Sequence, residues 1–174
     1  MKHIFLIGIM GAGKTHFAKQ LENAINLELV DLDAFIEQMY NKTIPEIFES
    51  GEHEFRRIET NALKSVIDDI PKIISTGGGA PCFNNNIETM LDNGIVIWLN
   101  PSVSTIAARL LNETAHRPLL KNARNQEEIE SLLTDLLAKR ATFYNQAHLH
   151  VLSDEPDMNE IISFLQKNEG FKTK

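Results

Sequence analysis

The sequence predicts an α/β fold in three layers, α/β/α, with helices on both faces of a five-stranded parallel sheet. Three observations carry that expectation. Short apolar runs at residues 4–7, 27–30, 73–75, 95–99 and 149–152 have strand length and near-continuous hydrophobicity, as strands buried on both faces do. Longer stretches of helical period separate them, the alternation that builds a parallel sheet. The chain has 174 residues, 43% of them hydrophobic, which is enough for one core and too little for two ordinary domains. One domain over residues 1–168 is expected, followed by a frayed tail at 169–174.

The first run ends in Gly8-Ile9-Met10-Gly11-Ala12-Gly13-Lys14-Thr15, which matches GxxxxGK[ST] between an expected strand and an expected helix, the setting that this motif requires. Glycines there let the main chain curl until its N–H groups converge on phosphate oxygens. The helix N-terminus adds partial positive charge at the same point. Gly11, Ala12, Gly13, Lys14, Thr15 and His16 are therefore candidate ATP contacts, with Lys14 bridging the β- and γ-phosphates and Thr15 ligating magnesium. A turn that merely joined strand to helix would have no reason to carry the lysine and the hydroxyl together. Phe17, Ala18, Leu21, Ala24 and Ile25 recur at three- and four-residue steps, so the segment opening at Thr15 reads as an amphipathic helix.

Asp31 and Asp33 follow the second run, at the sheet edge where open α/β folds bind ligands. Residues two apart in an extended segment point the same way, so both could face the phosphate cradle, one near a metal and one near an acceptor hydroxyl. Either would equally serve as the N-cap of a following helix. Thr43 and Glu46 form a capping-box pattern for a helix that Gly51 would end. In Glu54-Phe55-Arg56-Arg57-Ile58-Glu59, Arg56 and Glu59 are helical i, i+3 neighbours. A glutamate so placed can hold a guanidinium ready to fork onto a carboxylate, although the same spacing also suits a solvated ion-pair ladder.

Thr76-Gly77-Gly78-Gly79 follows the third run, and three glycines let the main chain approach a ligand and donate N–H bonds. Helices are expected at 84–91, 102–111, 127–144 and 157–167, with Pro45, Pro71, Pro101 and Pro156 near boundaries, where a missing N–H costs little. Residues 112–124 are polar, basic and broken by Pro118, so they read as a long loop. A loop of this kind can close over the phosphates as a mobile lid and bring Arg117 to the transferring group.

Composition narrows the function classes. With 17 basic against 24 acidic residues and a formal charge of -7, the chain would repel a phosphate backbone, so nucleic acid is excluded as the expected partner. Cys82 is the single cysteine, no signal-peptide pattern opens the chain, and no apolar run reaches membrane-spanning length. A cytoplasmic protein with no membrane role is expected.

GIMGAGKT, the Asp31-Leu32-Asp33 triplet, EFRRIE, STGGG, HRPLL and the AKRATFY segment that holds Arg140 occur in an order that closely resembles the shikimate kinase family, from His3 to about Leu165. The resemblance implies a P-loop kinase of nucleoside-monophosphate-kinase style that acts, with magnesium, on ATP and shikimate. It implies that Lys14 and Thr15 serve ATP and the metal, and that Asp31 orders the metal's water shell. Asp33 would bind the acceptor hydroxyl as general base or orienting group. Arg56 and Arg140 would grip the shikimate carboxylate with help from the Gly78 and Gly79 amides, Arg117 would be the lid arginine, and Arg109 would pack near adenine. A monomer is expected. Two stretches depart from the family pattern: Pro81-Cys82 stand where small or β-branched residues are usual, and residues 153–156 are acidic where relatives often carry a basic residue. Two other readings share the cradle, a gluconate kinase-like enzyme and a nucleotide-dependent switch. The pairing of Arg56 with Arg140 argues against the first, and acceptor-stimulated ADP release would exclude the second.

Overall fold

The structure is a computed structural model that describes residues 2–111, 120, 123 and 125–169. Its strands are β1 (His3–Ile7), β2 (Glu28–Asp31), β3 (Lys72–Ser75), β4 (Gly94–Leu99) and β5 (Leu149–Val151), all parallel, in the order β2-β3-β1-β4-β5. Each coincides with one of the apolar runs to within a residue or two. The helices are α1 (Lys14–Ala24), α2 (Leu32–Tyr40), α3 (Ile44–Phe48), α4 (Glu52–Val66), α5 (Asn86–Asn93), α6 (Val103–Leu110), α7 (Gln126–Tyr144) and α8 (Met158–Glu169).

Period-two alternation along the strands sorts the core into two layers. Phe5, Ile7, Ile74, Val96 and Trp98 point to one face, where they pack with Leu32 and Ile36 of α2, Phe55 and Ile58 of α4, Ile106 of α6 and Tyr144 of α7. Ile4, Leu6, Ile73, Ile95, Ile97 and Leu99 point to the other, against Phe17 and Leu21 of α1 and Ile161 and Leu165 of α8. Both faces of the central strands β1, β3 and β4 are covered, which is why their runs lack a polar alternate, whereas the edge strands β2 and β5 expose Glu28 and His150.

β1 pairs with β3 on one side and β4 on the other, so the chain order reverses around it. The loops at the carboxyl ends of β1, β2 and β3 consequently open onto one crevice. Gly8 begins the first of these loops at φ 142°, and a Cβ there would lie 2.3 Å from the Leu99 carbonyl oxygen. That contact is main chain and cannot swing away. Gly8→Ala is therefore expected to destabilise the fold by about 1–3 kcal/mol, to be read from the midpoint of denaturant unfolding.

Several boundaries differ from the sequence reading, each for a local reason. Gly51 does not end the helix that Thr43 and Glu46 cap; α3 stops at Phe48, and Gly51, at φ 100°, is the N-cap of α4. The capping box itself is present, with Glu46 Oε2 accepting from the Thr43 N–H at 2.7 Å. The helix expected from residue 84 begins at Asn86, because Asn84 and Asn85 adopt left-handed conformations. Pro81 and Cys82 belong to a short 3-10 turn, Ala80–Cys82, with proline where no N–H is required. α8 runs through Glu169, into the expected tail, and residues 170–174 lie outside those described. Of the expected lid, 112–124, only Leu120 and Ala123 are described, and Leu120 is buried. Among the described residues no helix is long and apolar enough to cross a membrane.

Candidate active site

The β1–α1 loop curls through Gly8, Gly11 and Gly13 at positive φ, and Gly13 is the N-cap of α1 with no side chain closing the helix start. A helix start that no side chain closes suits an anion. Lys14 folds back over the loop, its Nζ donating to the carbonyls of Gly8 (2.8 Å) and Ile9 (3.0 Å). Beside it the Thr15 Oγ1 donates to Asp31 Oδ2 at 2.8 Å, which joins the α1 start to the end of β2.

Asp31 takes the N-cap role that its sequence left open. It is the last residue of β2, and its second oxygen accepts from the Ala34 N–H at 3.2 Å, so it also N-caps α2. The extended-segment argument for Asp33 is corrected by this cap. Leu32 already starts the helix, and Asp33 sits in the first turn of α2 rather than two residues along a strand. It nevertheless faces the same crevice, a cleft of about 540 Å³ that Lys14, Thr15, Asp31, Gly78 and Arg109 also line. Burial pushes the Asp33 carboxyl above the usual range and the nearby Asp31 charge adds to this, while Lys14 and Arg56 pull it back.

The glycine turn after β3 separates Asp33 from the arginine cluster. A Cβ on Gly77 would lie 2.9 Å from Asp33 Oδ1 and 2.8 Å from Glu59 Oε1, and one on Gly79 would lie 2.6 Å from Arg56 Nη2. A side chain at Gly77 or Gly79 would have to displace these carboxylates or the guanidinium. Arg56 is held by its own helix, donating to Glu59 Oε2 at 2.9 Å and to Glu52 Oε1 at 3.0 Å. Glu59 is fully buried, and burial raises its carboxyl to about 7 despite the neighbouring Arg56 and Arg140 charges. Arg140, on α7, is near enough for its charge to act on Glu59, the partner of Arg56 on α4.

Sequence reasoning missed the aromatic setting of Arg56. Its guanidinium lies 4.2 Å from the Phe83 ring centroid and 5.1 Å from that of Phe55, with Phe48 stacked on Phe55 at 4.1 Å. Asn84 Nδ2 fixes the same turn of α4 by donating to the Arg56 carbonyl (3.2 Å) and to Thr60 Oγ1 (2.9 Å). The one signal for these contacts was the departure at Pro81-Cys82, which immediately precedes them.

On the other side of Gly13 a second cleft, of about 290 Å³, is bordered by His16, Phe17, Gln20, Arg109 and residues 153–156. Arg109 borders both clefts, with its Nη1 3.5 Å from the point where a Gly13 Cβ would sit. The acidic stretch has a structural occupation here. Asp154 accepts from the Ser102 N–H (2.6 Å), the Ser102 Oγ (2.9 Å) and the Thr105 Oγ1 (2.8 Å), which tie the loop after β5 to the start of α6. These bonds hold its carboxyl below the ordinary range. Arg117 lies outside the described residues.

The family model described as shikimate kinase matches residues 10–167. The chain is 43% identical over 167 residues to a shikimate kinase of Azobacteroides pseudotrichonymphae, covering 95% of this chain and 98% of that one. It is 41% identical over 172 residues to a shikimate kinase of Parabacteroides distasonis, covering 96% and 99%. Among solved structures, the shikimate kinase of Acinetobacter baumannii in complex with shikimate superposes with a TM-score of 0.87 at 32% identity, covering 97% of this chain and 95% of that one. The Bacteroides thetaiotaomicron shikimate kinase gives 0.79 at 37%, covering 95% of each.

Proposed function

The chain belongs to the shikimate kinase family, and on that premise we propose that it transfers the γ-phosphate of ATP to the 3-hydroxyl of shikimate. The products are shikimate 3-phosphate and ADP, a step toward chorismate and the aromatic amino acids. The observation that carries this reading is the position of Asp33, which faces the phosphate cradle on one side and, across Gly77, the Arg56–Glu59 pair on the other. A polyol whose carboxylate pairs with Arg56 and Arg140 would present a hydroxyl to Asp33 while the triphosphate end lies on the glycine loop.

Phosphoryl transfer through a loose transition state asks mainly for in-line positioning and charge stabilisation. Lys14 supplies a fixed cation beside the loop amides. Asp33 accepts the acceptor hydroxyl's hydrogen bond, orients its oxygen and takes the proton late. Arg117 is the proposed lid cation, and His16 and Arg109 are the proposed contacts toward the nucleoside. Thr15 and Asp31 fit magnesium, because a pair of hard oxygens beside a phosphate cradle suits an ion that keeps most of its waters. When bound, that ion neutralises charge on the β- and γ-phosphates. Among the described residues there is no cluster of three or more His, Cys, Asp or Glu that could hold a metal. One kinase domain over residues 1–168 with a lid near 112–124, a monomeric state and a cytoplasmic location complete the proposal.

Coupled ADP release with ATP and magnesium, measured with shikimate, quinate, gluconate or no acceptor, tests it. Shikimate is expected to stimulate turnover well above the other three conditions. Equal rates with and without shikimate would leave a nucleotide switch, and preference for gluconate would leave the other small-metabolite kinase.

A further inference from the structure

The Tyr144 hydroxyl has no part in the chemistry above, yet it is tied to the site. It donates to the Gly78 carbonyl at 2.6 Å across 66 residues of sequence, from a ring that is fully buried and packed 5.5 Å from Trp98. Burial raises its pKa to about 12, so the hydroxyl keeps its proton and remains a donor throughout the working range. The Gly78 carbonyl shares one rigid peptide plane with the Gly79 N–H, and in a trans peptide the two point in opposite directions. Among the described residues the Gly79 N–H meets no acceptor, and the Arg56 guanidinium lies beside Gly79, with Nη2 2.6 Å from where a Cβ would sit.

We infer that Tyr144 is a positioning residue for acceptor recognition: its bond to the Gly78 carbonyl turns that peptide so that the Gly79 N–H is presented, already oriented, to the acceptor's carboxylate beside Arg56 and Arg140. The inference deepens the proposed function and rests on it. A glycine turn with no side chains is free to rotate its peptide groups, and a donor aimed before binding spares the ligand the cost of ordering it. Tyr144 lies one helical turn beyond Arg140 on α7, so the same helix sets both the second arginine and the orientation of the amide.

The test compares wild-type protein, Tyr144→Phe and Trp98→Phe by steady-state kinetics with shikimate varied at saturating ATP and with ATP varied at saturating shikimate. Tyr144→Phe keeps the ring and removes the hydroxyl, which leaves the half-buried Gly78 carbonyl without this donor and Arg140 without its bond to the phenol oxygen. It is expected to raise the KM for shikimate about five- to thirtyfold while the KM for ATP stays within twofold. Discrimination between shikimate and its methyl ester should shrink by the same factor, since the ester lacks the anion that the amide meets. Trp98→Phe, which loosens the same ring without touching Gly78, should leave both KM values near wild type. An unchanged shikimate KM in a folded Tyr144→Phe protein, or an equal rise in both KM values, overturns the inference. If Tyr144→Phe does not fold, the methyl-ester discrimination of Tyr144→Leu or Tyr144→Met, which also lack a donor, measured in the same way, decides in its place: a wild-type ratio overturns the inference. Failure of the wild-type protein to phosphorylate shikimate sinks the proposed function first, and is seen before any variant is made.

Discussion

Asp33→Asn is expected to bind ATP normally and to lose about two to four orders of magnitude in kcat. The exchange keeps the shape of the side chain at a point where a Cβ on Gly77 would already touch it, so packing is preserved while the negative charge and the strong acceptor are removed. Lys14 and the glycine loop are untouched, which is why nucleotide affinity should survive in a direct binding titration. The pH dependence has a definite sign. The carboxyl of Asp33 is raised by burial and by Asp31, and it must be ionised to accept the hydroxyl's proton, so wild-type kcat falls as pH drops through that raised value. Stability runs the other way. A carboxyl whose folded pKa exceeds its unfolded one stabilises the fold below the unfolded value and loses that contribution as pH rises through the folded one. At pH 8 the ionised Asp33 is therefore a burden on the fold, and Asp33→Asn should unfold at an equal or higher denaturant concentration than wild type. A folded variant with wild-type turnover refutes the assignment.

The strands were legible because both faces of a parallel sheet are buried, which leaves an uninterrupted apolar mark at Ile4, Phe5, Leu6 and Ile7. The cradle was legible because strand, glycines, lysine and hydroxyl are contiguous. Arg56 and Glu59 were legible because helical spacing alone makes them neighbours. What escaped has a common physical cause. The start of α2 depends on Asp31 turning its carboxylate to the Ala34 N–H, a choice between strand and cap that the residue type permits either way. The aromatic box of Arg56 and the bond from Tyr144 to Gly78 join residues 27 and 66 positions apart, and no periodicity encodes such a meeting. Left-handed Asn84 and Asn85 shift a helix start by two residues because asparagine tolerates that conformation without demanding it. The family resemblance supplied the pairing of Arg56 with Arg140, which helix statistics would have assigned to solvent.

Arg56→Ala should raise the KM for shikimate by a factor that corresponds to about 2–5 kcal/mol, roughly thirtyfold or more, with little change in the KM for ATP. The size follows from desolvation. The guanidinium side chain is 11% exposed and its partner Glu59 1%, so its loss leaves both an incoming carboxylate and a buried glutamate without a cation. Arg56 lowers the pKa of Glu59 and of Asp33 in the wild-type protein. Removing it should push both upward, which moves the acid limb of the kcat profile to higher pH. Glu59, already raised to about 7, then favours the fold only while protonated, so the variant's stability deficit should be small at pH 5 and grow as pH rises past neutrality. Arg56→Lys is not expected to rescue acceptor binding. A lysine can restore charge near Glu59, but it has no planar fork to place over Phe83 while bonding two carboxylates, as the guanidinium does with Glu52 and Glu59. Recovery of the shikimate KM by Arg56→Lys would mean that charge alone, and not the oriented plane, recognises the acceptor. A shikimate KM left unchanged in Arg56→Ala would remove this arginine from the acceptor site altogether.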